Sequence, residues 1–468
     1  MKRPSVLILY TDQQRYDSLG CNGNPQAITP HLDRLASEGV RFENVFVQNP
    51  VCMPSRMSFL TGRYCSSLGV GFNGIPLPAD AVPLHRLLKP YGYHAGLIGK
   101  LHFWPHALRD HRNPYPVDHG FDTFIPTDES GCYDDAYLKW VEAKEPAMVD
   151  RVRTSPPPAA LLAGRKSLSP HERAMHKPYL FDADESLSHA SFVAAETCRY
   201  LEARARSGEP FVAIAGFLAP HPPLNPPKRF VEMYDPTQLP LPRVGPDETA
   251  APELAGVTPQ MWKEIAAYYL ACVSHVDDCV GTIAAKLREL GLEDDTIVVF
   301  TSDHGEYLGD HGRTNKSMPG HDCIARVPFI LRYPALLAGG RASSELIEAV
   351  DVAPTLLDLC AVQTPSFMQG RSFAPLLAGR PYTPRDDTFI EAFVPGGLRQ
   401  ATVRTKEHKY YCNSAGRELM YDLRRDPHEL RDVAADSEYA GVLSAMRKRL
   451  IVRMQLAAGN GTGRVAEY

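Results

Sequence analysis

Val6-Leu7-Ile8-Leu9-Tyr10 is an unbroken run of five apolar residues that stops abruptly at Thr11-Asp12-Gln13-Gln14. A run this short, with no polar alternation, reads as a strand buried on both faces, the kind that parallel sheets contain. A helix is expected next. Thr29 is its N-cap, Pro30 takes the first helical position, Leu32, Leu35 and Ala36 form one apolar face, and Gly39 ends it. A second strand follows over Val40 to Val47. The same texture returns at Phe211-Val212-Ala213-Ile214-Ala215 and at Thr296-Ile297-Val298-Val299-Phe300. The last run comes after a periodic helix carrying Val280, Ile283, Ala284, Leu287 and Leu290, closed by Gly291. Apolar strands alternating with amphipathic helices define an α/β fold, a mostly parallel sheet sandwiched by helices.

The 468 residues exceed what one core usually serves, so two unequal units are expected. Residues 1–378 form the larger α/β unit. After Leu376-Leu377-Ala378-Gly379-Arg380-Pro381 the texture changes. Short strand-like runs such as Lys409-Tyr410-Tyr411-Cys412 and a helix around Tyr439 to Leu456 make 379–468 a smaller C-terminal α+β subdomain. Residues about 105–185, with Pro156-Pro157-Pro158, read as a long pocket-shaping insertion, and about 220–260 is a second Pro-rich stretch. A formal net charge of -5 and the lack of a basic run exclude a general nucleic-acid binder. No apolar run is long enough to span a bilayer, so no membrane partner is expected. The N-terminus enters its first strand after Met1-Lys2-Arg3-Pro4, without signal-peptide character, which makes the cytoplasm the expected location. Ten scattered cysteines without a CxxC pair are not a disulfide scaffold. In a reducing compartment most serve as buried apolar fillers, Cys132 among them.

Cys52 departs from that background because it heads the run Met53-Pro54-Ser55-Arg56, continued by Met57-Ser58-Phe59-Leu60-Thr61-Gly62-Arg63. Pro54 suits the first turn of a helix, which puts Cys52 at the N-terminus, where free N–H groups and the dipole favour an anion. Arg56, one turn on, can aim a guanidinium fork at the same place. A buried structural cysteine and a plain thiolate nucleophile are the local alternatives. Two further segments offer oxygen ligands at strand ends: Asp12-Gln13 after the first strand and Asp303-His304-Gly305 after the strand at 296–300. Carboxyl ends of parallel strands are where such sheets place ligands.

The Cys52 to Arg63 stretch resembles the C-x-P-S-R and L-T-G-R signature of the sulfatase family, in the alkaline-phosphatase superfamily. The resemblance implies an alkaline-phosphatase-like fold and hydrolysis of sulfate esters. It also implies that Cys52 becomes formylglycine (3-oxoalanine) through a formylglycine-generating maturase, and that the hydrated aldehyde is the nucleophile. One divalent metal ion, Ca2+ or Mn2+, would then be held by Asp12, Gln13, residue 52, Asp303 and His304. Gly99-Lys100-Leu101-His102 is similar to the family's G-K-W-H segment, and Pro220-His221-Pro222-Pro223 to its P-H-x-P segment. Lys100 would neutralise anionic oxygens, His102 would bond the nucleophile, and His221 would serve the leaving oxygen. Arg56 would polarise the nucleophile together with the metal. Lys316 matches a second lysine that bridges sulfate and leaving group, and Asn73 a polar pocket donor. His321, close to Lys316 but without a family counterpart, is a candidate for substrate specificity.

Gln13 and His304 stand where many sulfatases carry Asp and Asn. One carboxylate fewer and one imidazole more favour manganese over calcium. The Asp-Gln and Asp-His pairs resemble those of phosphonate monoester hydrolases and choline-sulfatase-type enzymes. Hydrolysis of phosphonate monoesters or phosphodiesters is therefore the alternative activity, and a homo-oligomer is compatible with either. A non-catalytic anion-binding relative is disfavoured by the full set of nucleophile, ligands, lysines and histidines. A phosphomutase or phosphatase is disfavoured because it would place a hydroxyl residue at position 52.

Overall fold

A computed structural model describes residues 3–105, 115–129, 135–154, 177–394 and 396–459. Pro156-Pro157-Pro158 and Cys132 lie outside these. The strands are β1 (Ser5–Asp12), β2 (Val40–Phe46), β3 (His94–Gly99), β4 (Thr123–Pro126), β5 (Phe211–Pro220), β6 (Thr296–Ser302), β7 (Arg326–Arg332), β8 (Arg341–Glu348), β9 (Thr388–Phe393), β10 (Arg399–Arg404), β11 (His408–Asn413) and β12 (Glu418–Asp422). Helices of eight or more residues are numbered α1 (Pro30–Glu38), α2 (Cys52–Thr61), α3 (Ala136–Lys144), α4 (His189–Ser207), α5 (Pro259–Glu289), α6 (Val352–Leu359) and α7 (Ala440–Ala457).

Side chains of a strand alternate between faces, and β1 uses both. Val6, Ile8 and Tyr10 enter one core with Met53, Met57 and Leu60 of α2 and Leu356 of α6. Leu7 and Leu9 enter the other, with Leu35 of α1, Phe192 of α4 and Tyr269, Val276 and Ile283 of α5. β5 and β6 divide their side chains the same way. The unbroken apolar runs are thus the signature of a sheet covered on both faces. Its order is β4-β3-β5-β1-β6-β7-β2-β8, parallel throughout except for β7, which runs antiparallel to both β6 and β2. Pro328 lies in β7 opposite the irregularity between Phe42 and Val45 of β2, where a missing N–H costs the ladder no bond.

Two expectations need correction. Thr29 stands at the N-terminus of α1, but its hydroxyl donates to Asp33 Oδ1 at 3.1 Å. The first-turn N–H groups of His31 and Leu32 go to the Asp277 carboxylate of α5 instead. Part of 105–185, read as an irregular insertion, belongs to the main fold: β4 extends the sheet edge, and Tyr137, Leu138 and Val141 of α3 join the core. The tail forms a four-stranded antiparallel sheet, β12-β11-β10-β9, against which α7 packs Leu443, Met446 and Leu450. Among the described residues, no helix is long and apolar enough to cross a membrane.

Candidate active site

Five strands of the main sheet aim their carboxyl ends at one place. β1 delivers Asp12 and Gln13, β6 delivers Asp303 and His304, β3 delivers Lys100 and β5 delivers His221. β2 leads into the loop that begins α2 at Cys52, and every residue of α2 is buried. Two glycines let β3 and β5 close on each other at this end. A Cβ on Gly216 would lie 2.2 Å from Lys100 O, and one on Gly99 would lie 2.1 Å from Gly216 O.

Ligand atoms of Asp12, Cys52, Asp303 and His304 lie within 4.8 Å of one another, all four residues buried. His304 Nδ1 faces Gly305 O at 2.8 Å, so it carries the proton and leaves the Nε2 lone pair for the cluster. Nε2 is 3.2 Å from Cys52 Sγ, and Lys316 Nζ is 2.9 Å from the same sulfur. Lys316 also donates to Gln13 Oε1 at 2.9 Å. Gln13 adopts a left-handed backbone, φ 65°, which its neighbours hold. Its N–H donates to Asp303 Oδ1 at 3.0 Å, and its carbonyl accepts from Tyr269 Oη at 2.8 Å. The donor set of two carboxylates, an imidazole and an amide oxygen fits a divalent cation.

The electrostatics agree with that use. Burial opposes charge on Asp12, but Lys100, His221, Lys316 and Arg56 together hold its carboxyl well below the usual range. Lys100 Nζ sits 2.6 Å from Asp12 Oδ2. Burial and the Asp12 charge push the Cys52 thiol up to about 11, against the pull of Lys316 and Lys100. Burial and the Asp12 carboxylate thus disfavour the thiolate of an unmodified Cys52, while Lys316 and Lys100 favour it. Burial, with Lys316, lowers His304, and burial with Lys316 and Lys100 holds His221 well below its ordinary value.

Three residues are placed differently from expectation. Arg56 does not point at the sulfur. Its Nε donates to Asp303 Oδ2 at 2.7 Å, its other nitrogens reach Lys100 O and Thr11 O, and it lies 3.4 Å from Asp12 Oδ2. Buried carboxylates outcompete a neutral thiol for a guanidinium. Asn73 Oδ1 accepts the Met53 N–H at 3.0 Å and so caps the first turn of α2. His321 is buried away from the cluster, its nitrogens 3.1 Å from Tyr307 Oη and 3.2 Å from Tyr421 Oη, its ring stacked on His311. The structure thus brings Arg56 and Asn73 to the cluster and to the first turn of α2, and turns His321 toward Tyr307 and Tyr421 instead.

Other residues of the site carried no sequence signal. Asp128 accepts the N–H groups of Leu101 and His102 at 2.8 and 3.0 Å and the Tyr115 hydroxyl at 2.5 Å. It thereby fixes the left-handed turn at His102 that follows Lys100. Glu306, two residues beyond His304, accepts the Gln13 amide through Nε2. Both are acidic residues outside any motif, and only the spacing of Glu306 from Asp303 could have drawn notice.

A mostly parallel sheet that gathers a cation cluster, a helix-borne residue and two lysines at its strand ends is the frame of a metal-assisted hydrolase of anionic esters, alkaline-phosphatase-like in fold. The sequence model of the sulfatase family matches residues 4–362, and that of the C-terminal part of N-sulphoglucosamine sulphohydrolase matches 309–455. The chain belongs to the sulfatase family and is a sulfuric ester hydrolase. It is 31% identical to an arylsulfatase of Clostridium perfringens (strain 13 / Type A), over 97% of this chain and 95% of that one. It is 29% identical to a multifunctional alkaline phosphatase superfamily protein of Trinickia caryophylli, over 95% and 93%. The crystal structure of the phosphonate monoester hydrolase of Agrobacterium radiobacter superimposes with a TM-score of 0.83 at 27% identity, covering 97% of this chain and 96% of that one. Sulfatases of this family generally use a divalent metal and formylglycine.

Proposed function

We propose that the chain hydrolyses sulfate esters of small alcohols or phenols through residue 52, after a maturing enzyme has converted Cys52 to formylglycine. Asp12, Gln13, residue 52, Asp303 and His304 would hold one divalent cation. The observation that carries this reading is the convergence of Asp12, Cys52, Asp303 and His304 within 4.8 Å, with Lys316 at 2.9 Å from the sulfur. When bound, the cation supplies positive charge that draws the ester oxygens to residue 52 and acidifies its hydroxyl. A formylglycine hydrate at residue 52 would supply one hydroxyl as nucleophile and a second for release of sulfate.

The chain's own residues do the rest. Lys100 and Lys316 neutralise oxygens that gain charge in the transition state. Arg56 holds Asp12 and Asp303 in place. His221, tethered through Nδ1 to Pro222 O at 2.7 Å, presents Nε2 to the leaving oxygen. Its imidazole is neutral in the resting site, and the bound anion offsets Lys316 and Lys100, raising its proton affinity for donation. His102 serves as base when sulfate departs. An imidazole among the ligands makes Mn2+ the favoured ion over Ca2+. The working organisation is a catalytic unit to residue 378 with a C-terminal subdomain from 379.

A second reading, hydrolysis of phosphonate monoesters or phosphodiesters, is favoured by Gln13 and His304 in the cation cluster and by the likeness to a phosphonate monoester hydrolase. Kinetics on matched aryl sulfates, phosphodiesters and phosphonates decide between the two: the reading given first expects the highest kcat/KM on the sulfate. Cys52→Ala is expected to abolish turnover while the peptide mass of the native protein shows the aldehyde. Undiminished turnover in Cys52→Ala would refute both readings.

A further inference from the structure

Gln13 is the ligand whose chemistry is ambiguous, because its side chain ends in an oxygen that can hold a cation and a nitrogen that cannot. Turning the amide over exchanges the two with almost no change of shape. At one end, Lys316 Nζ donates to Oε1 at 2.9 Å. At the other, Nε2 donates to Glu306 Oε2. Glu306 cannot move aside: it is fully buried, and its other oxygen accepts the N–H groups of Leu308 at 3.0 Å and Asn315 at 2.5 Å. The groups hydrogen-bonded to its carboxyl, the Leu308 and Asn315 N–H groups and Gln13 Nε2, all donate, so in its ionised form it presents an acceptor to Gln13. An ammonium at one end asks for oxygen and a carboxylate at the other asks for nitrogen.

We infer that Glu306 is the positioning residue that fixes the amide of Gln13 with its oxygen toward the cation, and that it ties this ligand to the loop carrying Lys316 through Asn315. The inference rests on the reading of the cluster as a divalent cation site. It explains how an uncharged side chain serves where many sulfatases place a carboxylate. An aspartate presents oxygen whichever way it turns, whereas a glutamine needs a partner to choose for it.

The test is Mn2+ binding by the metal-free protein, followed by calorimetry, with unfolding temperature recorded for each variant. In Glu306→Gln the backbone N–H groups of Leu308 and Asn315 claim the new amide oxygen, and its NH2 then faces Gln13 Nε2. Donor meets donor, Gln13 turns over, and affinity for Mn2+ is expected to fall on the order of 10–100-fold. The exchanged pair, Gln13→Glu with Glu306→Gln, keeps every hydrogen bond and offers oxygen to the cation again. It is expected to bind Mn2+ at least as tightly as the native protein. Should Glu306→Gln fail to fold, the exchanged pair carries the test alone. Native affinity in a folded Glu306→Gln, or a folded exchanged pair that fails to bind, overturns the inference. If the native protein binds neither Mn2+ nor Ca2+, the cation reading itself falls and the inference with it.

Discussion

Replacing Arg56 by lysine keeps the charge and loses the fork. Arg56 is 1% exposed and bonds Asp303, Lys100 O and Thr11 O at once, with Tyr10 against its flat face. An ammonium cannot satisfy three directions spread over a plane. Arg56→Met leaves two buried carboxylates with less compensation and is expected to cost ~3–5 kcal/mol in urea unfolding of the metal-free protein. Arg56→Lys should fall between it and the native chain. Sequence spacing puts Arg56 one helical turn from Cys52, as the structure does. What it could not reveal is which neighbour claims the guanidinium, because Asp12 and Asp303 come from strands 44 and 247 positions away. Asp128 and Glu306 were illegible for the same reason: an acidic residue in a loop declares its role only when the donors around it are known.

At the scale of elements, β3 and β5 come into close contact where Lys100 leaves the sheet. Gly216→Ala puts a methyl 2.2 Å from Lys100 O and 2.6 Å from Lys100 N, so the strands must part just where Lys100 leaves the sheet. Displacing a charge-stabilising group by about 1 Å costs on the order of 100-fold in rate. The expected result is that loss in kcat/KM on an aryl sulfate, with an unchanged far-ultraviolet spectrum. Buried parallel strands were readable because burial on both faces demands continuous apolar runs. β7, Arg326–Arg332, shares that texture, so its antiparallel direction had no signature. β4 has only four residues, and β8 reads Arg-Ala-Ser-Ser-Glu over its exposed half, so neither edge strand announces itself.

Across the whole molecule, buried ion pairs join the tail to the main sheet. Glu348, at the end of β8, lies 2.9 Å from Arg385 and 2.5 Å from Arg453 of α7, and accepts the Tyr64 hydroxyl. Burial alone would raise its carboxyl, but Arg385 and Arg453 pull it down to about 2. A depressed carboxyl contributes stability above its unfolded value, and that contribution is lost as pH falls from about 4.5 to 2. Arg453→Met is expected to be less stable than the native protein by about 3 kcal/mol at pH 7. The gap should narrow across that acid window, as read from urea midpoints at pH 7, 4 and 3.

A second set of contacts pins the far end of the segment that bears Lys316. Pro319 O accepts from Thr402, Gly320 O and Asp322 from Lys409, and His321 meets Tyr421. Strands β10, β11 and β12 therefore hold the segment that follows Lys316. The consequence is one of inheritance. In a chimera of two relatives, the stretch from Asp303 to Ala325 and the closing sheet must come from the same parent. A crossover between them would preserve each signature motif and shift the segment that carries Lys316.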